Sequence, residues 1–182
     1  MELAVSKLLQ LLRERSFRKG EFTLASGRTS DFFIDCKTTV LRADGHALVG
    51  PALLEGIREL GPVEAVAGVA LGGCPLASAV AIASVQSPPP IDAIYVRKSV
   101  KDHGSRRRVE GASHLAEGAP VAVVEDTVTT GGSTLRAISQ LRDAGLSIVG
   151  VVAVVDRLEG AREAFDEAQV PFRSLFTRRD FM

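Results

Sequence analysis

The sequence predicts an α/β fold with a central, mainly parallel sheet flanked by helices and a small N-terminal annex. Apolar runs at residues 91–96, 120–124 and 148–155 consist largely of Val, Ala and Ile. Such runs are typical of strands that are buried on both faces, as parallel strands are. Helical patterns lie between several of the runs, and this alternation favours a doubly wound sheet.

The N-terminal residues predict one helix followed by the annex. Residues 2–15 place leucines mostly on one side of a helix, with charged residues left for solvent. Two short extended pieces, at residues 22–24 and 32–36, flank a turn-like segment at residues 26–30. We therefore expect a small antiparallel pair after the first helix.

A second helix precedes the alternating core elements. Asp44 is a suitable N-cap for a helix that runs to about Leu60, where Gly61 and Pro62 favour its end. The predicted core elements are a strand at 63–71, a helix at 75–85, strands at 91–96 and 120–127, a helix at 133–145 and a strand at 147–156.

Length and composition restrict the classes of function. The 182 residues suit one domain spanning 1–182, and 22 basic against 22 acidic residues argue against a general nucleic-acid binder. Cys36 and Cys74 lack the spacing of a zinc site or a disulfide framework, so we expect a cytoplasmic protein. Every apolar run is shorter than the roughly 20 residues that cross a bilayer, so no membrane association is expected.

Two adjacent acids follow the buried run 121–124, and a turn rich in threonine and glycine separates them from the next helix. The segment consists of Glu125, Asp126, Thr127, Val128, Thr129, Thr130, Gly131, Gly132 and Ser133. Acids at a strand end need hydrogen-bond donors, which the vicinal hydroxyls of a ribose supply. Backbone N–H groups at a helix N-terminus favour a phosphate. The segment predicts a ribose-5-phosphate site, and the alternative is an ordinary helix start with incidental acids.

This segment resembles the phosphoribosyl-pyrophosphate (PRPP) motif of type I phosphoribosyltransferases over residues 121–133. The resemblance implies the fold of that family and PRPP as a substrate. A P-loop would need GxxxxGK[ST] and a dinucleotide site GxGxxG, and the segment contains neither pattern.

A basic segment follows the predicted strand 91–96. Residues 97–108 contain six Lys or Arg and one Asp, which favours an anion site, although a solvated surface loop is the alternative. The pattern Arg-Lys-x-x-Lys-Asp-His-Gly resembles the mobile catalytic loop of orotate phosphoribosyltransferases. That resemblance implies a homodimer with shared active sites, in which this loop reaches the neighbouring subunit. The catalytic residues that it implies are Lys101, Asp102 and His103. The residues that it implies for pyrophosphate binding are Arg97, Lys98, Lys101 and His103. Arg106, Arg107 and Arg108 have no clear counterpart in the family, and we expect them to be solvent-exposed.

Residues 22–33 resemble the N-terminal signature of the same family, which lies over the pyrimidine ring. The resemblance implies that residues 1–40 and the C-terminal segment form a hood over the base. Phe32 and Phe33 are adjacent in an extended piece and face opposite ways, so we expect Phe33 to cover the base; core packing is the alternative.

Further candidates for the base and pyrophosphate sites lie near strand ends. Ser26, Thr129 and Lys37 are expected to bind orotate, and Lys37 is also a possible substitute for a family lysine near the pyrophosphate that is absent at Ala25. Arg157 could form a bidentate pair with the orotate carboxylate, and a surface ion pair with the preceding Asp156 is the alternative.

A second glycine turn, at residues 68–75, lies between a predicted strand and a helix. Gly72 and Gly73 would let pyrophosphate approach the backbone, although a tight turn without a ligand is the alternative. Some family members have a lysine near Gly72, and this chain does not.

Together these resemblances imply transfer of the phosphoribosyl group from PRPP to orotate, giving orotidine 5′-monophosphate and pyrophosphate in pyrimidine biosynthesis. They imply Mg²⁺ as cofactor, held mainly by PRPP and water, with no metal site made of protein side chains alone. The alternatives are a purine or uracil phosphoribosyltransferase and a non-catalytic PRPP sensor that binds nucleic acid.

Overall fold

The computed structural model describes residues 2–23, 29–97 and 108–182. The helices are α1 (Glu2–Arg15), α2 (Lys37–Val40), α3 (Ala43–Arg58), α4 (Gly73–Gln86), α5 (Gly132–Asp143) and α6 (Ala161–Glu167). The strands are β1 (Phe17–Thr23), β2 (Thr29–Ile34), β3 (Ala65–Val69), β4 (Asp92–Val96), β5 (Val109–Glu110), β6 (Pro120–Val128), β7 (Ser147–Asp156) and β8 (Phe172–Thr177). Short 3₁₀ turns lie at Ala112–His114 and Arg178–Phe181.

Six strands form the central sheet in the order β5-β4-β3-β6-β7-β8. All neighbouring pairs are parallel except β4 and β5, which pair antiparallel at one edge. The prediction of a mainly parallel sheet flanked by helices is thus confirmed. The sequence reasoning missed β5, β8 and α6, because two-residue and mixed-polarity segments carry little periodicity.

The sheet is buried on both faces, and adjacent residues of β6 enter different hydrophobic clusters. Val124 belongs to the cluster that contains residues of α1, α3 and α4, whereas Val123 belongs to the cluster that contains residues of α5 and α6. Alternating side-chain direction along a strand produces this division. Because each fully buried Val or Leu contributes about 1.5–3 kcal/mol, the continuous apolar runs fix β3, β6 and β7 at the centre.

The predicted N-terminal helix and antiparallel annex are present, although the strand bounds differ. β1 begins at Phe17, five residues before the predicted start, and β2 ends at Ile34. The two strands form a two-stranded sheet of their own, with an irregularity between Lys19 and Phe22. The early start was missed because the first residues of β1, FRKGE, are mostly polar.

The prediction that Asp44 caps a helix is wrong. Helix α3 begins at Ala43, with Arg42 in the N-cap position, and ends at Arg58 rather than Leu60. The Asp44 carboxylate instead accepts hydrogen bonds from both terminal nitrogens of Arg15, at 2.9 and 2.7 Å. These bonds lower the pKa of Asp44 to about 2. The acid therefore links α3 to α1.

Among the helices of the described ranges, none is both long and apolar enough to pass through a bilayer.

Candidate active site

The two acids lie within β6, which continues through them to Val128 and pairs with β7. Glu125 is buried and its Oε1 accepts a hydrogen bond of 3.0 Å from the hydroxyl of Thr134 in α5. Asp126 points to the other face of the strand, and its Oδ1 accepts a bond of 2.8 Å from the backbone N–H of Thr127. Each carboxylate therefore accepts a hydrogen bond, Glu125 from a helix side chain and Asp126 from the backbone of its own strand.

The threonine and glycine turn connects β6 to α5. Thr129 and Thr130 follow the strand, and Gly131 adopts a left-handed conformation with φ +76° before α5 begins at Gly132. A Cβ at Gly131 would also lie 3.2 Å from the ring of Phe165. The turn thus presents the N-terminus of a twelve-residue helix beside the acids, which is a favourable site for a phosphate.

The second glycine turn packs directly against Asp126 and the backbone of Val124. A Cβ at Gly72 would lie 2.4 Å from Oδ2 of Asp126, and a Cβ at Gly73 would lie 2.6 Å from the carbonyl oxygen of Val124. Both distances are far below van der Waals contact, so only glycine fits at these positions. The structure therefore brings the two predicted glycine turns together at one edge of the sheet.

The segment that leaves the annex also reaches the acids. The ammonium group of Lys37 lies 2.6 Å from Asp35 and 3.7 Å from Oδ2 of Asp126. Its hydrogen bond to Asp35 raises the pKa of Lys37, so the side chain keeps its positive charge. The thiol of Cys36, which is fully buried, lies 3.4 Å from the hydroxyl of Thr127.

The two cysteine thiols favour the protonated form. Burial raises the pKa of Cys36 to about 12, and burial together with the charge of Glu125 raises the pKa of Cys74. Cys74 is only half-buried and lies in the first turn of α4, next to Gly73.

The basic segment is described only at its two ends. Nε of Arg97 donates a bond of 2.7 Å to Glu110, and its backbone N–H donates to the carbonyl oxygen of Arg108. Arg97, Arg108, Ser133 and Arg136 line a cavity of about 240 Å³. Arg97 is therefore brought to the phosphate turn, as predicted from the strand order. Lys98, Lys101, Asp102, His103, Arg106 and Arg107 lie outside the described residues, and so does Ser26.

The two adjacent aromatic residues of β2 differ in exposure. Phe32 is 1% exposed and Phe33 is 40% exposed, so the expected opposite orientation of the two rings is confirmed. The Phe33 ring packs on Phe22 with centroids 5.6 Å apart. A pyrimidine would find one exposed aromatic face here, while the other ring belongs to the core.

Arg157 is buried at the end of β7. Its guanidinium carbon lies 4.6 Å from the centroid of the Phe32 ring, and Nη2 lies 2.8 Å from Glu159. The alternative of a surface ion pair is wrong, because Arg157 is only 6% exposed. Asp156 instead accepts a hydrogen bond from the backbone N–H of Leu158. The backbone N–H of Arg157 donates to Val128 and so links this arginine to the end of β6.

Three residues of the site escaped the sequence reasoning. Thr134 lies in the first turn of α5, Cys36 reaches the site from the segment after the annex, and Arg178 comes from the C-terminal 3₁₀ turn. A hydroxyl residue two positions after Gly132, at the start of the predicted helix, was a usable signal for Thr134. Arg178 gave no local signal, because only the tertiary fold brings it to Phe32.

Comparison with known proteins identifies relatives of the whole chain. Residues 51–170 match the model of the phosphoribosyl transferase domain. An orotate phosphoribosyltransferase of Sorangium cellulosum is 60% identical over 176 residues, which cover 97% of this chain and 92% of the relative. An orotate phosphoribosyltransferase of Rhodopseudomonas palustris (strain BisB18) is 45% identical and matches over 97% and 95% of the two chains.

Solved structures show the same fold. The Mycobacterium tuberculosis orotate phosphoribosyltransferase in complex with Fe(III) dicitrate is 38% identical, with a TM-score of 0.82 and 98% of each chain covered. The same enzyme in complex with PRPP is 34% identical, with a TM-score of 0.80 and the same coverage of both chains. These likenesses extend from the annex to the C-terminal strand.

Proposed function

The chain belongs to the phosphoribosyltransferase family, among its orotate phosphoribosyltransferases, and we propose that it catalyses PRPP plus orotate to orotidine 5′-monophosphate plus pyrophosphate. The step belongs to the synthesis of pyrimidine nucleotides. The single observation that carries the proposal is the full-length similarity to enzymes named for this activity. The meeting of the acid pair with two glycine turns supplies the geometry that the reaction needs.

The acids and the turn after them bind the sugar. The carboxylates of Glu125 and Asp126 accept hydrogen bonds from the ribose hydroxyls. Residues 127–133 supply hydroxyl and backbone N–H donors for the 5-phosphate. Breaking the C1′–O bond before much bonding to N1 of orotate leaves positive charge on the ribose. Two preorganised carboxylates at this edge stabilise that charge relative to the ground state.

The glycine turn before α4 and the basic residues bind the departing pyrophosphate. Gly72 and Gly73 leave the backbone open beside Asp126, and Arg97 and Lys37 bring positive charge to the same edge. Resemblance to the family adds Lys98, Lys101, Asp102 and His103. Lys101 and His103 act on the neighbouring subunit's pyrophosphate.

The proposed cofactor is Mg²⁺, held mainly by PRPP and water and by few protein ligands. Within the described ranges, no three His, Cys, Asp or Glu side chains come together as a metal site. Asp126 offers a half-buried carboxylate at the pyrophosphate turn, and Mg²⁺ commonly takes one or two carboxylates together with substrate phosphates and water. When bound, the ion neutralises charge on the pyrophosphate.

Arg157 selects the base, and Phe33 covers it. The buried guanidinium of Arg157 suits the carboxylate that orotate carries and uracil lacks. Phe33 offers its exposed ring to the pyrimidine, and Thr129 and Ser26 supply polar contacts. Residues 1–40 together with the C-terminal segment act as the hood over this pocket.

The active unit is a cytoplasmic homodimer. Helix α4 has no charged residue in its sequence, and it exposes Ile82 and Val85, whereas the turn before it exposes Leu71. Leu71 lies in the glycine turn that is proposed to bind pyrophosphate. The basic segment of a second copy would have to reach this position. The exposed face of α4 and Leu71 therefore suits a second copy of this chain.

The proposal is tested by following the loss of orotate absorbance in the presence of PRPP and Mg²⁺. Parallel reactions with uracil, adenine and hypoxanthine use the same enzyme preparation. We expect loss of orotate alone, with pyrophosphate released in equal amount. Consumption of another base without consumption of orotate would contradict the proposal. The variant Arg157→Lys keeps the charge but lacks the planar fork, so we expect weaker discrimination of orotate from uracil.

A further inference from the structure

Two guanidinium groups contact one buried aromatic ring between the annex and the body of the protein. The guanidinium carbons of Arg157 and Arg178 each lie 4.6 Å from the centroid of the Phe32 ring. Attraction between a guanidinium and an aromatic ring is stronger when the pair is desolvated than when it lies at the surface. Because Phe32 is 1% exposed, both contacts lie at the desolvated side of the annex.

Arg178 also holds the residue before that ring. Its Nη2 donates to both carboxylate oxygens of Asp31, at 2.6 and 2.7 Å. One side chain of the C-terminal turn therefore contacts two consecutive residues of β2. The side chains of Arg178 and Asp31 are 34% and 59% exposed, so solvent screens much of the attraction between the two charges.

The turn that carries Arg178 is fixed to the body of the protein. Asp180 accepts bonds from the N–H and the hydroxyl of Thr177, at 2.7 and 3.0 Å, and its carbonyl accepts one of 2.8 Å from Arg13 in α1. Phe181 is buried and packs edge-on against Phe176 of β8, with ring centroids 6.5 Å apart. Arg178 thus projects from a rigid support.

The annex needs such a support. β1 and β2 form a separate two-stranded sheet, and isolated two-stranded hairpins are at best marginally stable in water. The position of the annex over the body therefore depends on side-chain contacts at its base. Phe33, the ring proposed to cover the base, is one residue beyond the Arg178 contact.

We propose that Arg178 is a positioning residue for orotate: through Asp31 and the Phe32 ring it fixes the annex and the adjacent Arg157 over the base site. The inference rests on the proposed function and extends it to a residue outside the PRPP motif and the basic segment. Arg178 acts through Phe32 and Asp31 and need not touch the substrate.

The test compares Arg178→Gln with Arg179→Gln in the full-length enzyme. The neighbouring arginine lies in the same turn and is exposed, so the second variant removes the same charge without removing the contacts to β2. For Arg178→Gln we expect the KM for orotate to rise about tenfold while the KM for PRPP stays within about twofold. Asp31→Asn should give a smaller rise, and Arg178→Lys should restore part of the loss.

Hydrogen exchange provides a readout that does not depend on activity. Amides of β1 and β2 should exchange faster in Arg178→Gln than in the wild type, and Arg179→Gln should match the wild type. Equal orotate KM values in the two glutamine variants would overturn the inference. The inference would also be overturned if Arg178→Gln raised the KM for orotate and the KM for PRPP equally and lowered the Tm. That result would indicate that the turn only stabilises the fold. A wild-type enzyme that leaves orotate unconsumed would overturn the proposed function, whereas the exchange result would still test the support of the annex.

Discussion

Gly72 and Asp126 are packed so closely that a Cβ on the glycine would lie 2.4 Å from Oδ2 of the acid. The two residues are distant in the sequence and belong to different predicted motifs, a pyrophosphate turn and a ribose turn. Their contact joins the two halves of the proposed PRPP site at the carboxyl ends of β3 and β6. This edge is where open α/β sheets bind their ligands.

Gly72→Ala should lower turnover by about a hundredfold or more, the loss that removal of one preorganised group produces. The backbone at Gly72 has φ −63°, which alanine adopts freely, so the damage comes from displacement of the Asp126 carboxylate. Steady-state kinetics of Gly72→Ala, Asp126→Ala and the double variant test this reason. Because both changes remove the carboxylate from the same position, the turnover of the double variant should be no lower than that of Asp126→Ala. If the two reductions in turnover multiplied, displacement of the Asp126 carboxylate would not be the cause.

Lys37→Gln should raise the KM for PRPP about tenfold and leave the KM for orotate nearly unchanged. The reason is the position of its ammonium group, 3.7 Å from Asp126 at the edge where the pyrophosphate turn lies. Folding should change by less than about 1 kcal/mol, because ion pairs of partly exposed side chains contribute little. Lys37→Arg is the matched control that keeps the charge. A rise in the orotate KM alone would place Lys37 in the base site instead.

The central sheet was predictable because its strands obey one strong physical rule. Val123 and Val124 are both fully buried on opposite faces, and only near-continuous apolar runs meet that requirement. β1 was located less well, since its residues 17–21 are mostly polar and the strand pairs only at the surface annex. The helix cap at Asp44 failed because Arg15, which is distant in sequence, offered the carboxylate two stronger donors.

The site was predictable where the sequence itself carries the geometry. The order of strand, acids, threonines, glycines and helix lies within residues 121–133, so local reasoning found it. The partners of those residues come from elsewhere: Thr134 orients Glu125, and Lys37 and Gly72 reach Asp126 from other elements. Such contacts depend on strand order and packing, which a local pattern does not encode.

Lys101→Ala should lower turnover by about a hundredfold or more with the fold intact, because loss of one preorganised charge costs about 2.7–4 kcal/mol of transition-state stabilisation. This expectation rests on the resemblance of residues 97–104 to the family's catalytic loop. Turnover within about threefold of the wild type would refute the role.

Mixing Lys101→Ala and Asp126→Ala subunits tests whether the lysine acts on the partner. A mixed dimer contains one site that retains both groups if the loop reaches across the interface, so part of the activity should return. Failure of the mixture to exceed either parent would show that each site is built from one chain.

Alkylation by iodoacetamide at pH 8 should modify Cys74 well before Cys36. Burial raises the pKa of Cys36 to about 12 and leaves the thiol protonated and shielded, whereas Cys74 is half-buried at the pyrophosphate turn. PRPP should slow the reaction at Cys74, as mass spectrometry of each cysteine peptide would show. Equal rates at the two cysteines would contradict the buried environment of Cys36.

The same pKa shift gives a dependence of stability on pH. The folded-state pKa of Cys36 lies above the ordinary value of 9.0, so its contribution to the free energy of unfolding is fully present below pH 9. That contribution is lost as the pH rises from about 9 towards 12, and Cys36→Ala should lack this component of the decline.

The most direct test of the central claim is a crystal structure of this chain with PRPP and Mg²⁺ bound. We expect the ribose hydroxyls on the carboxylates of Glu125 and Asp126, and the 5-phosphate on the turn at residues 129–133. The pyrophosphate should lie beside Gly72. A ribose bound at any other place on the protein, without contacts to the two acids, would contradict it.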